Sequence, residues 1–260
     1  MGDAPVWLIG PVMVIAFPLA VEAGYRFHAL SHAAKSEGDE GGAGYIVSAA
    51  LALLGLLIGF TFSMSSERYE TRRHLVVDEA NAISTTWLRE QLLDEGSRGD
   101  LAPLMRDYVQ TRQAFAFSWS GSALAANEAR TQALQQQIWT RTAAALREPA
   151  AAPLTTSLLQ TTNDMFDLAA TRRAARDAKV PAAVLWALIV CAATGALIMG
   201  YGLAAGGRRH LVASSGLFAL IALSITLIVD LDQPRQGSIQ VSTAPMDRVA
   251  ADIRSGDASR

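Results

Sequence analysis

The stretch Gly44–Met64, GYIVSAALALLGLLIGFTFSM, decides how this chain folds. It holds no charged side chain, and a bilayer core takes roughly 20 apolar residues in helical form, so the segment is long enough to cross a membrane. Pro181–Leu203 and Leu211–Val229 meet the same test, also without a charge. Ala4–Val21 is apolar as well, but Pro11 and Pro18 interrupt it, and it reads as a kinked span. A secretory leader would begin with positive charge, whereas Met1–Val6 carries Asp3 and neither Lys nor Arg.

Working outward, the expected fold is an all-α integral membrane protein with four transmembrane helices. A first hairpin occupies 1–64, a helical domain 65–179, a second hairpin 180–229 and a tail 230–260. Composition agrees with that division. Hydrophobic residues make up 51% of the chain and charged residues 18%, more apolar than an ordinary soluble domain. The charge is concentrated in 65–179, where 14 Lys and Arg balance 14 Asp and Glu. Net charge is −2, so the basic surplus of a nucleic-acid binder is missing. Cys191 is the only cysteine, which excludes disulfides within the chain and cysteine-based zinc sites.

Positive charge near the spans sets the expected orientation. Arg68, Arg72, Arg73, Arg172, Arg173, Arg176, Lys179, Arg235 and Arg248 lie on one side, against Arg26, Lys35, Arg208 and Arg209 on the other. That asymmetry puts both termini and the 65–179 domain in the cytoplasm. Glu22–Gly42 is then an exposed connector on the far side, acidic at Glu37, Asp39 and Glu40.

Val76, Ala80, Ile83 and Trp87 recur at helical spacing, which predicts that the second span continues as a long amphipathic helix. Gly96-Ser97-Arg98-Gly99 is expected to break it, and Asp100 to cap the next helix with Pro103 in its first turn. Further helical stripes follow at Leu134–Ile138–Ala145 and at Leu154–Leu158–Met165–Ala169, the latter leading back toward the third span.

Candidate chemistry is thin. No Gly-rich phosphate loop, nucleophile elbow or metal-ligand set is present, and no cofactor is expected. His28 and His32 stand at i and i+4, a metal-compatible spacing with no third ligand. His74 with Asp78, and Asp164 with Asp167, read as solvated or structural pairs. The chain is not expected to be an enzyme.

The second span carries more information. Ser48, Ala52, Gly55 and Gly59 draw a stripe of small residues down one helix face, and Gly55-Leu-Leu-Ile-Gly59 is a small-xxx-small element. Such a face either packs against a neighbouring span or borders a central pathway in an oligomer. Leu54, Ile58 and Phe62 run beside it at i, i+4 and i+8, the candidates for an apolar constriction. Beyond the span, Glu67, Glu70, Arg72 and Arg73 are the candidate lining of a charged vestibule.

Phe60-Thr-Phe-Ser-Met64, then Arg68, Arg72-Arg73 and Val77-Asp78-Glu79-Ala80-Asn81-Ala82-Ile83, resembles the signature of a bacterial bestrophin-like membrane family. The second half agrees at Arg172-Arg173, Pro181, Trp186 and Asp230-Leu-Asp232-Gln-Pro234, followed by Gly237, Ile239, Val241-Ser242 and Pro245. Asp78, Glu79, Asn81, Asp230, Asp232 and Pro234 are its structural motif residues. The resemblance implies a homo-oligomeric ion channel of the bacterial inner membrane, pentameric by analogy, whose second helix lines the pore. Its partners would be the lipid bilayer and further copies of itself. The alternative is a non-conducting scaffold whose helical domain docks another protein. Two departures stand out: bestrophins carry an apolar-proline neck, and Gly44–Met64 has no proline. Asp230 and Asp232 supply too few carboxylates for the six to eight oxygens that calcium takes.

Overall fold

The computed structural model describes residues 6–31, 40–118, 121–205, 210–233 and 237–258, and all statements of structure concern these. They form eight α-helices: α1 (Val6–Ser31), α2 (Glu40–Glu90), α3 (Glu95–Phe117), α4 (Gly121–Ala145), α5 (Thr155–Asp177), α6 (Ala182–Ala205), α7 (Leu211–Asp232) and α8 (Ala244–Ala258). A short 3-10 segment, Pro149–Leu154, precedes α5. No strand occurs among the described residues. Four stretches are long and apolar enough to cross a membrane: Leu8–Leu30, Gly44–Glu90, Ala151–Ala204 and Val212–Asp232. The longest charge-free run of the second is 44–66, and that of the third is 180–204.

The chain divides into two compact units. One joins Met1–Tyr69 to Lys179–Gln240, and the other joins Glu70–Ala178 to Val241–Arg260. In the first unit α1 packs on α6 and α7. Its core is Met13, Phe17 and Val21 of α1, Leu188, Ala192 and Ala196 of α6, and Phe218, Ala222 and Ile225 of α7. Phe17 and Phe218 meet edge to face at 6.0 Å. Glycine makes the α1–α6 crossing possible. A Cβ on Gly24 would lie 2.0 Å from the Leu197 carbonyl oxygen, and one on Gly200 would lie 1.9 Å from that of Val21. Backbone therefore touches backbone, the close approach that small residues permit between membrane helices.

Helix α1 is longer than the expected Ala4–Val21 span. It runs unbroken through Pro11 and Pro18 to Ser31. The stretch read as the start of a connector is thus helical, with Arg26 paired to Glu22 across one turn at 2.8 Å.

The second unit is built on Ile83 and Trp87 of α2, Met105 and Tyr108 of α3, Leu134 and Ile138 of α4, and Leu158 and Met165 of α5. Met246, Val249 and Ile253 of α8 belong to the same core. The segment 230–260 is therefore not merely a tail. The break after α2 also falls earlier than expected. Asp94, not Asp100, caps α3: its side chain accepts from the Ser97 backbone N–H at 3.0 Å. Gly96–Gly99 lies inside the first turns of α3, while Asp100 pairs with Arg141 at 2.9 Å.

Candidate functional site

Within 44–64, α2 is largely uncovered. Ser48, Ala52, Gly55 and Gly59 are all exposed, and a Cβ built on Gly55 or Gly59 meets nothing within 4 Å. Among the described residues, the glycines that bring two helix backbones together are instead Gly24 and Gly200. On a face centred about 100° further around α2, Leu53, Leu56 and Phe60 form a bulky apolar surface that is also exposed. Two hydroxyls of the span are satisfied locally. Ser48 donates to the Gly44 carbonyl at 3.0 Å and Thr61 to that of Leu57 at 2.7 Å.

The three constriction candidates do not share one environment. Leu54 is 2% exposed and sits in the core of the first unit. Ile58 is partly buried against that core, and Phe62 is 42% exposed. The reading of Leu54 as a constriction residue is corrected accordingly, because a helix row at i, i+4, i+8 drifts around the axis by about 40° per step. Only its C-terminal end, at Phe62, reaches the open face.

The vestibule candidates also separate. Glu67 and Arg73 are exposed, and Arg73 reaches Glu70 at 3.2 Å. Arg72 is buried and donates to the carbonyls of Ala175 and Ala178, at 3.2 and 2.9 Å, closing the end of α5. It is a helix-capping cation and not a free vestibule charge.

The Asp-rich motif closes the end of α7. Asp230 accepts from the Ser238 N–H at 2.8 Å, the Ser238 hydroxyl at 2.7 Å and the Ile239 N–H at 3.1 Å. A Cβ on Gly237 would lie 2.3 Å from its Oδ1, so the fold requires glycine there. Asp232 accepts from the Val180 N–H at 2.9 Å, linking the end of α7 to the approach to α6. Pro234 lies outside the described residues.

Of the other motif residues, Asp78 and Asn81 are exposed, while Glu79 is 0% exposed. One Glu79 oxygen accepts from Arg112 Nε, and the other from Arg172 Nη1 at 2.7 Å. Arg112, Arg172 and Arg176 all stack near the Phe115 ring, with guanidinium carbons 4.5, 5.4 and 4.8 Å from its centroid. Burial holds the Arg172 guanidinium below its ordinary value, and the Glu79 carboxylate opposes that. Neither arginine partner of Glu79 was identified from sequence, because helix spacing reports only neighbours along one helix.

A family model for the Bestrophin-like domain matches residues 14–246. The chain belongs to the bestrophin-like family. Its fold is similar to that of solved bacterial bestrophin homologues from Klebsiella pneumoniae. One variant gives a TM-score of 0.66 at 13% identity, over 94% of this chain and 97% of that one. A second gives 0.69 at 12% identity, over 97% of both chains. A further solved chain, described as a membrane protein, gives 0.71 at 11% identity, over 94% of this chain and 97% of that one. A comparison with curated proteins gives no match.

Other candidate residues of this bestrophin-like chain do not assemble into a site. His28 lies edge-on to Tyr201 at 4.8 Å, and His32 is outside the described residues. No group of three or more metal-ligating side chains occurs among the described residues. His74 is exposed and comes within 3.9 Å of Glu70, one turn before it. Asp164 and Asp167 line an open groove of about 460 Å³ with Asn81, Thr85 and Thr171.

Proposed function

We propose that this bestrophin-like protein is a homo-oligomeric ion channel whose α2 borders the pathway. The observation that carries the reading is the open stripe Ser48–Ala52–Gly55–Gly59, a run of small residues that none of the described helices of its own chain covers. Bulky apolar side chains suit a lipid boundary, and Leu53, Leu56 and Phe60 supply one on another face of the helix. Small residues suit a crowded axis or a neighbouring copy. Family membership supports the same assignment. The excess of Lys and Arg near one set of span ends favours a cytoplasmic location for residues 65–179 and for both termini.

Phe62 is the accessible end of the apolar row, and it is the proposed constriction residue. In liposome flux measurements Phe62→Ala should raise ion flux, and Phe62→Ser should raise it further by wetting the neck. Leu54→Ala, within the core, should instead cost about 2–5 kcal/mol of stability without that gain. Background flux in the wild type and in every variant would overturn the channel reading in favour of a non-conducting scaffold.

A further inference from the structure

Glu90 is the last residue of α2, and its side chain is buried in the second unit. It is 1% exposed, and neither carboxyl oxygen has a hydrogen-bond partner. An ionised carboxylate can only accept, so burying it without a donor is costly, whereas the protonated acid is tolerated. The position adds a second penalty. Glu90 stands at the C-terminal, negative end of a 51-residue helix, where cations and not anions are stabilised.

The corner that holds it is lightly tied. One turn earlier α2 is anchored, because Thr86 donates to the Thr161 carbonyl at 3.1 Å and Ile83 and Trp87 belong to the core. After Glu90 the helix gives way to turn bonds. Leu92 N–H donates to the Arg89 carbonyl at 3.0 Å and Leu93 N–H to that of Glu90 at 3.1 Å, before α3 begins at Glu95. Leu93 is buried, but Leu92, Asp94 and Glu95 are exposed.

No ionic partner holds the carboxyl in place. Burial is the whole cause of its raised pKa, and no charged side chain of a neighbouring helix contributes, Arg98 and Arg106 of α3 and Arg141 of α4 included. Arg89 beside it donates to the Ser157 carbonyl, and Asp94 caps α3. The buried groups Glu79, Tyr108, Arg112 and Arg172 act on one another. We infer that the α2–α3 corner is a pH-sensitive latch, closed over protonated Glu90. When the carboxyl loses its proton to solvent, the last turn of α2 and residues 91–94 open and carry the carboxylate into water, while the rest of the unit stays folded.

The closed corner holds the proton more tightly than the open one. Closure is therefore fully favoured below about pH 4.5 and weakens as pH rises toward about 8. One proton leaves per opening, so opening becomes about tenfold more favourable per pH unit across that window. The latch lies wholly within the second unit, and its test stands whether or not the protein conducts. Hydrogen exchange of the full-length protein in detergent, read by mass spectrometry as protection relative to the free-peptide rate, measures it. The Gln91, Leu92 and Leu93 amides should exchange about tenfold or more faster than those of α5 around Leu158 and Met165, which report global unfolding. Their protection should fall about tenfold per pH unit between about pH 5 and about pH 8. In Glu90→Gln and in Glu90→Met that fall should disappear, since neither side chain has a proton to lose. Exchange at the corner no faster than in α5 would overturn the latch, because Glu90 would then be released by global unfolding alone. So would protection that does not change with pH, or an equal fall in the two variants.

Discussion

Glu79→Ala is expected to destabilise the protein by about 3–5 kcal/mol, the usual cost of removing one partner from a buried ion cluster. The reason is the environment and not the charge alone. Glu79 is fully buried, and its two oxygens serve Arg112 and Arg172, themselves 2% and 7% exposed. Without the carboxylate, both guanidiniums stay in the core with an uncompensated charge. A domain typically holds only about 5–15 kcal/mol of stability, so a large share of it is at stake. Glu79→Gln keeps the shape and removes the charge, and it should fall between wild type and alanine. Denaturant unfolding followed through near-ultraviolet circular dichroism, to which the buried Trp87 contributes, measures both. A loss below about 1 kcal/mol for Glu79→Ala would show that the cluster is solvated.

Glu90→Gln should act in the opposite direction, and only above mildly acidic pH. Glu90 is 1% exposed, and neither carboxyl oxygen has a hydrogen-bond partner. Burial pushes its pKa up from 4.5 to about 8. A folded-state pKa above the unfolded value means that the folded protein holds the proton more tightly. Stability is therefore full below about pH 4.5 and falls as pH rises toward about 8. At about 1.4 kcal/mol per pH unit the loss reaches about 4–5 kcal/mol. The glutamine variant has no proton to lose. The stability difference between variant and wild type should grow with pH across that window and flatten above it. A difference independent of pH between 5 and 8 would contradict the assignment.

The membrane-spanning part of the fold was legible because bilayer thickness demands long uncharged runs, and Gly44–Met64, Pro181–Leu203 and Leu211–Val229 satisfy that without tertiary information. The long continuation of α2 was legible from the spacing of Val76, Ala80, Ile83 and Trp87. Boundaries set by local competition were not. Asp94 and Asp100 are both plausible caps, and the bond from Ser97 decides for Asp94 although it places two glycines in the helix. Met246, Val249, Ala250 and Ile253 carry the i, i+3, i+4, i+7 pattern of a buried helix face, so α8 could have been found from periodicity. Glu79 was singled out by its motif, but its role depends on partners 33 and 93 residues away. Leu54 and Arg72 looked like site residues because helix spacing gives a face without saying what covers it. Leu54 is taken by the first unit's core, and Arg72 by the carbonyls that end α5.

The central claim is that α2 lines a pathway shared by several copies of the chain. Single-particle imaging of the detergent-solubilised protein, resolved well enough to trace helices, tests it most directly. The account predicts a closed symmetric ring with residues 44–64 of α2 nearest the axis, the Gly55–Gly59 stripe turned toward the axis or the adjoining copy, and Phe62 at the narrowest point. A monomer, or an assembly with the α2 helices on its lipid-facing rim, would contradict it.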